Sequence, residues 1–153
     1  MDALTPPDIP APPGQRPGRM LKRAEQALLR AKSAALKPTG LTLAQYVALT
    51  ELHQQPGITG ASLARASLVT PQAMMVVLKS LDEQGLIIRS PHPRHPNVLE
   101  LHITDAGREA LHEGRQHVEP VERRVIDAFS PEELDTLTAL LTRWAEAIEA
   151  NCA

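Results

Sequence analysis

Six histidines and one cysteine are the side chains of this 153-residue chain best suited to bind a metal, carry a proton near neutral pH or form a disulfide. His92 and His95 stand three apart, His102 follows, His112 and His117 lie further on, and His53 is remote. A zinc-type site needs three or four convergent His, Cys or carboxylate ligands. No His-x-x-x-His pair places two imidazoles on one helix face, so the spacing predicts no metal and no cofactor. Cys152 stands beside the C-terminus as the only cysteine, which excludes a disulfide within one chain and fits a reducing compartment. A thiol near a frayed end has little structure to switch, although a disulfide between two copies stays open. There is neither a glycine-rich phosphate loop nor an activated-nucleophile signature. Carboxylates cluster only in residues 105–153, where a solvated helix face explains them. The inventory therefore predicts no enzyme.

The elements that carry these residues are helical. Aromatics are limited to Tyr46, Phe129 and Trp144, while Ala and Leu dominate and long β-rich runs are missing. The opening "MDALTPPDIPAPPG" has no apolar core like that of a signal peptide, and no apolar run approaches the roughly 20 residues that span a bilayer. The expectation is a cytoplasmic protein with no membrane partner. The net charge of −2 is unevenly spread. Residues 1–40 carry seven Lys/Arg against three Asp/Glu, residues 41–104 four of each, and residues 105–153 five against eleven. Acid is thus concentrated at the C-terminal end.

Residues 1–18 read as a disordered proline-rich arm, with six of the fourteen prolines in the first seventeen positions. Met20, Ala24, Ala27, Leu28 and Ala31 have helical spacing, and that helix ends near Lys37-Pro38. Thr42 with Gln45 three residues on forms a capping-box pattern that opens a second helix, closed by Pro56-Gly57. Thr59 caps a short helix through Ala66, Ser67–Val69 makes a tight turn, and Thr70-Pro71 opens another helix. Met74, Val77, Leu78 and Leu81 give that helix one apolar stripe, and Gly85 stops it. Two strands follow, "LIIRS" and "NVLELHIT", the second alternating Leu99, Leu101 and Ile103 inward with Val98, Glu100 and His102 outward. The proline-rich "PHPRHPN" between them is expected to leave the ladder as a loop. A short helix, tight turn, second helix and β-hairpin make a winged helix-turn-helix, whose second helix enters the DNA major groove.

Thr104 and Ser130 cap two further helices, the second with Leu134, Leu137, Leu140, Leu141 and Trp144 as a broad apolar stripe. The module over 41–104 can form its own core. The helix of 19–40 and those of 105–153 cannot easily bury their stripes on it, so they are expected to dimerise with a second copy. Burying one Leu-sized side chain is worth roughly 1.5–3 kcal/mol. The fold class expected is mainly α: a winged helix-turn-helix with a two-stranded wing and N- and C-terminal dimerisation helices.

Four pieces carry a family resemblance: "LT-x-x-Q" opening the second helix, "TPQ-x-M" opening the recognition helix, "L-x-x-x-GLI" closing it, and "ITDAGREAL" after the wing. In this order the chain resembles the MarR family of bacterial regulators over about residues 19–149. The resemblance implies a homodimeric winged-helix transcription factor, usually a repressor, bound to a palindromic site on double-stranded DNA. It also implies release by a small phenolic or lipophilic ligand, or by cysteine oxidation. Carried over by position, Thr70, Pro71, Gln72 and Met75 occupy the base-facing start of the recognition helix. Gln72 is the prime candidate for a base contact, because Gln pairs bidentately with adenine. Thr70 and Lys79 suit phosphates, as do Ser62 and Arg65 on the preceding helix. In the ligand pocket the resemblance implies, Tyr46 and His53 face the junction of dimer helices and winged module, with Leu21 or Ala24 opposite.

The wing departs from the family pattern. A run like Asp-Pro-x-Asp-Arg-Arg aligns with His92-Pro93-Arg94-His95-Pro96-Asn97, so both aspartates are histidines and both arginines are gone. Arg94 is a displaced substitute, and His95 and Asn97 complete the DNA-facing set. Imidazoles gain charge below about pH 6.5, which predicts tighter DNA binding from about pH 7.5 down to pH 6. Each lost phosphate contact lowers the salt slope by about 0.9, so a shallow slope is expected. The alternative is a winged-helix dimer with weakened DNA binding that serves as a protein-interaction module.

Overall fold

The structure is a computed structural model that describes residues 16–150. Cys152 and the first fifteen residues of the expected arm lie outside the described residues. Six helices and one hairpin follow in the order α1 (Pro17–Leu36), α2 (Leu43–Gln54), α3 (Gly60–Ala66), α4 (Pro71–Glu83), β1 (Ile87–His92), β2 (His95–Ile103), α5 (Asp105–Ile126) and α6 (Pro131–Glu149). A 3-10 turn, Lys37–Thr39, links α1 to α2. The helix α1 starts two residues before Arg19 because Pro17 takes the first helical position, where its missing N–H costs nothing.

Side-chain caps set five of the helix starts. Thr42, Thr59, Thr70, Thr104 and Ser130 each accept a backbone N–H from three residues on. The Thr42–Gln45 and Ser130–Glu133 boxes are both closed reciprocally. Gly85 ends the α4 region with φ 68°, a left-handed conformation that only glycine adopts cheaply. Leu68 holds φ 54° in the α3–α4 turn, the only non-glycine residue with positive φ among the described residues.

The core lies where α2, α3, α4 and the root of the hairpin meet the first half of α5. Leu49, Leu52, Leu63, Met74, Leu78, Leu81, Ile87, Leu101 and Leu111 are all essentially solvent-free there. Gly107 lets α5 approach the hairpin root: a Cβ at this position would sit 2.1 Å from the Leu86 carbonyl oxygen and 2.7 Å from Ile103 Cγ1. Thr104 ties the same corner together. Its hydroxyl donates to Gly85 O at 2.8 Å and its N–H to Leu86 O at 3.1 Å.

The wing corrects the sequence expectation. The strands do not stop at Ser90 and Asn97. They pair antiparallel as far as Pro91 with Leu99, then as His92 with His95, with a register shift between the two pairs. Only Pro93 and Arg94 form the tip. A two-stranded sheet has only edge strands, so Pro91 can stand where no N–H is required, and Pro96 falls in the irregular stretch. The inward alternation also holds only near the root. Leu101 is buried, but Leu99 is 47 % exposed because the outer hairpin extends past the core.

The α6 helix has no buried residue in the single protomer, and Leu137, Leu140, Leu141 and Trp144 are exposed. Its stripe does not fold back into the core of its own chain.

Candidate nucleic-acid interface

The recognition helix divides cleanly into two faces. Met74, Leu78 and Leu81 are spent on the core. Gln72, Met75, Val76 and Lys79, at i, i+3, i+4 and i+7, make the opposite stripe and are all exposed. Thr70 is occupied as the cap, with its hydroxyl accepting the Ala73 N–H at 3.2 Å, and Pro71 fills the first helical position. Lys79 Nζ is 3.9 Å from Glu83, a surface pair of small energetic weight.

On α3, Arg65 Nη2 donates to the Ser62 hydroxyl at 3.0 Å, and Ser62 also takes the Thr59 hydroxyl at 3.2 Å. Ser62 and Arg65 are therefore brought together as one polar group beside the α3–α4 turn. Arg94 forms part of the hairpin tip, and its N–H donates to His92 Nδ1 at 3.1 Å. The His92 and His95 rings lie 5.2 Å apart, and both His95 and Asn97 are exposed.

Further residues that the sequence did not single out hold this surface in place. Glu100 stands between two imidazoles, 3.6 Å from His92 Nε2 and 3.4 Å from His102 Nε2. It lies beside Gly57, where an added Cβ would come 3.5 Å from the carboxylate. Asp82 on α4 receives Arg89 of β1 at 3.2 Å and joins the recognition helix to the wing. Ser80, also on α4, accepts the Gln45 amide at 3.0 Å. Only Asp82 and Arg89 leave a trace in the sequence, as opposite charges either side of the Gly85 turn. Among the described residues no group of three or more His, Cys, Asp or Glu is arranged to hold a metal ion.

The four residues expected at a ligand pocket do not share one cavity. Tyr46 lines a space of about 410 Å³ with Lys32, Thr50, Arg115 and Glu122. Leu21 and Ala24 line a separate apolar space of about 550 Å³ between α1 and α5, which Leu141 also reaches. His53 is exposed and lines neither. A third space of about 520 Å³ lies between α1, α2 and the start of α4, walled by Leu29, Val47, Met74 and Val77. Ser67 Oγ on its wall is buried without a hydrogen-bond partner among the described residues. Burial pushes the Tyr46 phenol above its usual range; Glu122 pushes the same way, while Arg115 and the bond with Thr50 oppose it.

Comparison with known proteins gives this surface a context. A family model described as MarR family matches residues 39–95. An HTH-type transcriptional repressor of Mycobacterium tuberculosis is 38 % identical over 109 residues, covering 71 % of this chain and 78 % of that protein. A crystal structure of a MarR family protein from the same bacterium in complex with DNA superposes with TM-score 0.66 at 32 % identity, covering 84 % of this chain and 97 % of that one. The complex of that protein with p-aminosalicylic acid gives TM-score 0.67 at 32 % identity over 85 % and 98 % of the two chains.

Proposed function

Because the chain belongs to the MarR family, we propose that it is a homodimeric, DNA-binding transcriptional repressor released by a small aromatic or lipophilic effector. The observation that carries this reading is the outward stripe of α4, exposed from Gln72 to Lys79 while its opposite face is buried. A relative with 32 % identity has been crystallised on DNA and with p-aminosalicylic acid. Gln72 is assigned to a base edge, with Pro71 and Met75 beside it. Thr70, Lys79, Ser62 and Arg65 are assigned to phosphates, and Arg94, His95 and Asn97 to the wing contact. Residues 41–104 act as the reading module, and 19–40 with 105–153 as the dimer helices.

For the effector, Tyr46 beside Arg115 suits a small phenolic ligand; Lys32 is already held by Glu122 at 2.6 Å, and Glu51 and Glu119 share the wall. Leu21 and Ala24 suit an apolar body instead, and His53 is left without a part. No single helix among the described residues is long and apolar enough to cross a membrane.

The test is a gel shift on the DNA upstream of the protein's own gene. Saturable binding at near-physiological salt, lost in Gln72→Ala, supports the repressor. A salt slope near −8 or steeper, at about 0.9 per phosphate contact, contradicts so sparse a set of phosphate contacts. Binding to no fragment at all supports an interaction module in its place. A thermal-shift screen of small phenolic and lipophilic compounds identifies the effector, since a ligand of the folded state raises the midpoint.

A further inference from the structure

We propose that Met75 and Val76 are specificity-determining residues, and that the group they read is the 5-methyl of thymine in the major groove. This rests on α4 being a DNA-reading helix and adds the chemistry of its site. Met75 is 60 % exposed and Val76 72 % exposed on the central turn of the recognition helix. Neither is needed for the core, which α4 already fills with Met74, Leu78 and Leu81. They stand between Gln72 and Lys79 on one stripe, so a groove that receives those two polar groups must also receive the two apolar ones.

Among the four bases only thymine presents a methyl group at the major-groove edge; cytosine has a bare C5–H there, and the rest of the edge code is donors and acceptors. Met and Val side chains return no hydrogen bond of useful strength to such an edge. Set against guanine, cytosine or adenine they strip water from a polar atom without replacing it, which is unfavourable. Set against thymine they bury a methyl. The pair therefore selects in both directions. The two differ in stiffness: Val is held near one rotamer in a helix, and Met adapts to the space left. Gln72, one turn nearer the helix start, supplies the adenine contact. The half-site expected is a short run of A·T pairs with thymine methyls facing α4.

The experiment selects a binding site for the full-length protein from randomised duplexes, then replaces each thymine of the half-site, one at a time, by deoxyuridine. Uracil keeps every hydrogen-bonding atom and lacks only the methyl. At one or two positions per half-site, affinity should fall about fourfold, the factor for losing one buried methyl at roughly 0.8 kcal/mol. Val76→Ala should bind the thymine and uracil duplexes alike at one of those positions, and Met75→Ala at the other. Indifference to uracil at every position, or discrimination that survives in both variants, overturns the proposal while leaving DNA binding intact. Failure to select any duplex overturns the DNA reading and this proposal together.

Discussion

The side-chain amide of Gln45 donates to the Ser80 hydroxyl at 3.0 Å, joining the first turn of α2 to the recognition helix. The same amide accepts the Thr42 N–H at 2.8 Å, so one buried residue closes a helix cap and pins the reading head. Gln45→Ala removes both bonds, to an exposed N–H and a half-buried hydroxyl that keeps its bond from Gln84, at about 0.5–1.5 kcal/mol for each bond. Thermal unfolding should show a lower midpoint, by about 2–4 °C for each kcal/mol in a chain of this size. An unchanged midpoint would show that the Gln45–Ser80 bond contributes nothing to stability.

Gly107→Ala pits two effects against each other. Alanine favours a helix over glycine by about 1 kcal/mol. The new Cβ, however, meets the backbone carbonyl of Leu86 and must push α5 off the hairpin root, an overpacking cost of about 1–3 kcal/mol or more. Net destabilisation is expected in denaturant titration. Gly114→Ala should cost less, because its Cβ would meet the Tyr46 ring at 2.8 Å, and a side chain moves more readily than a carbonyl.

Tyr46 is the only tyrosine of the chain, so the absorbance of tyrosinate reports it alone. Its titration midpoint should lie above 10, chiefly from burial, with Glu122 adding and Arg115 opposing. Glu122→Gln should lower the midpoint and Arg115→Gln raise it. The folded protein holds this proton more tightly than the unfolded chain. That share of stability is therefore complete below about pH 10 and is lost as pH rises through the folded value. A midpoint at or below 10 would contradict the buried setting.

Trp144 is likewise the only tryptophan, 39 % exposed on a helix that buries no residue in the single protomer. If α6 joins two copies, its emission should shift to the red on dilution. Leu140→Asp or Leu141→Asp should sediment as a protomer with native helicity. A protomer in the unsubstituted protein at micromolar concentration would refute the dimer.

Helix starts are legible in the sequence because their determinant is local: a hydroxyl three residues before an N–H. Thr42, Thr59, Thr70, Thr104 and Ser130 all serve as caps. The wing is longer than its prolines suggest because proline is hostile to a ladder only where its nitrogen must donate, and the outer half of the hairpin, beyond the Thr59–Glu100 bridge, has no third strand. Alternation places Leu99 inward, but it gives a face and not whether anything lies against it. The ligand residues scatter for a related reason. Helical phase gives the side of α2 that Tyr46 and His53 share, not which helix stands opposite. Alternation puts Glu100 on one face with His102, but the Ser80 bond to Gln45 and the Glu100 pairing with His92 join residues at least eight positions apart and leave no local signal.

The corner at Thr104 and Gly107 has a mechanical side. It clamps the end of α4, the base of the wing and the start of α5 into one block. The α5 helix has 22 residues and therefore runs about 33 Å away from that clamp. Over such a length a tilt of about 5° at the far end swings the near end by about 3 Å. Hydrogen bonds to base edges fail within a fraction of that distance. On the proposed reading, α5 is thus a lever with a built-in gear ratio: a small repacking among the proposed dimer helices would be enough to lift Gln72 and Val76 out of register.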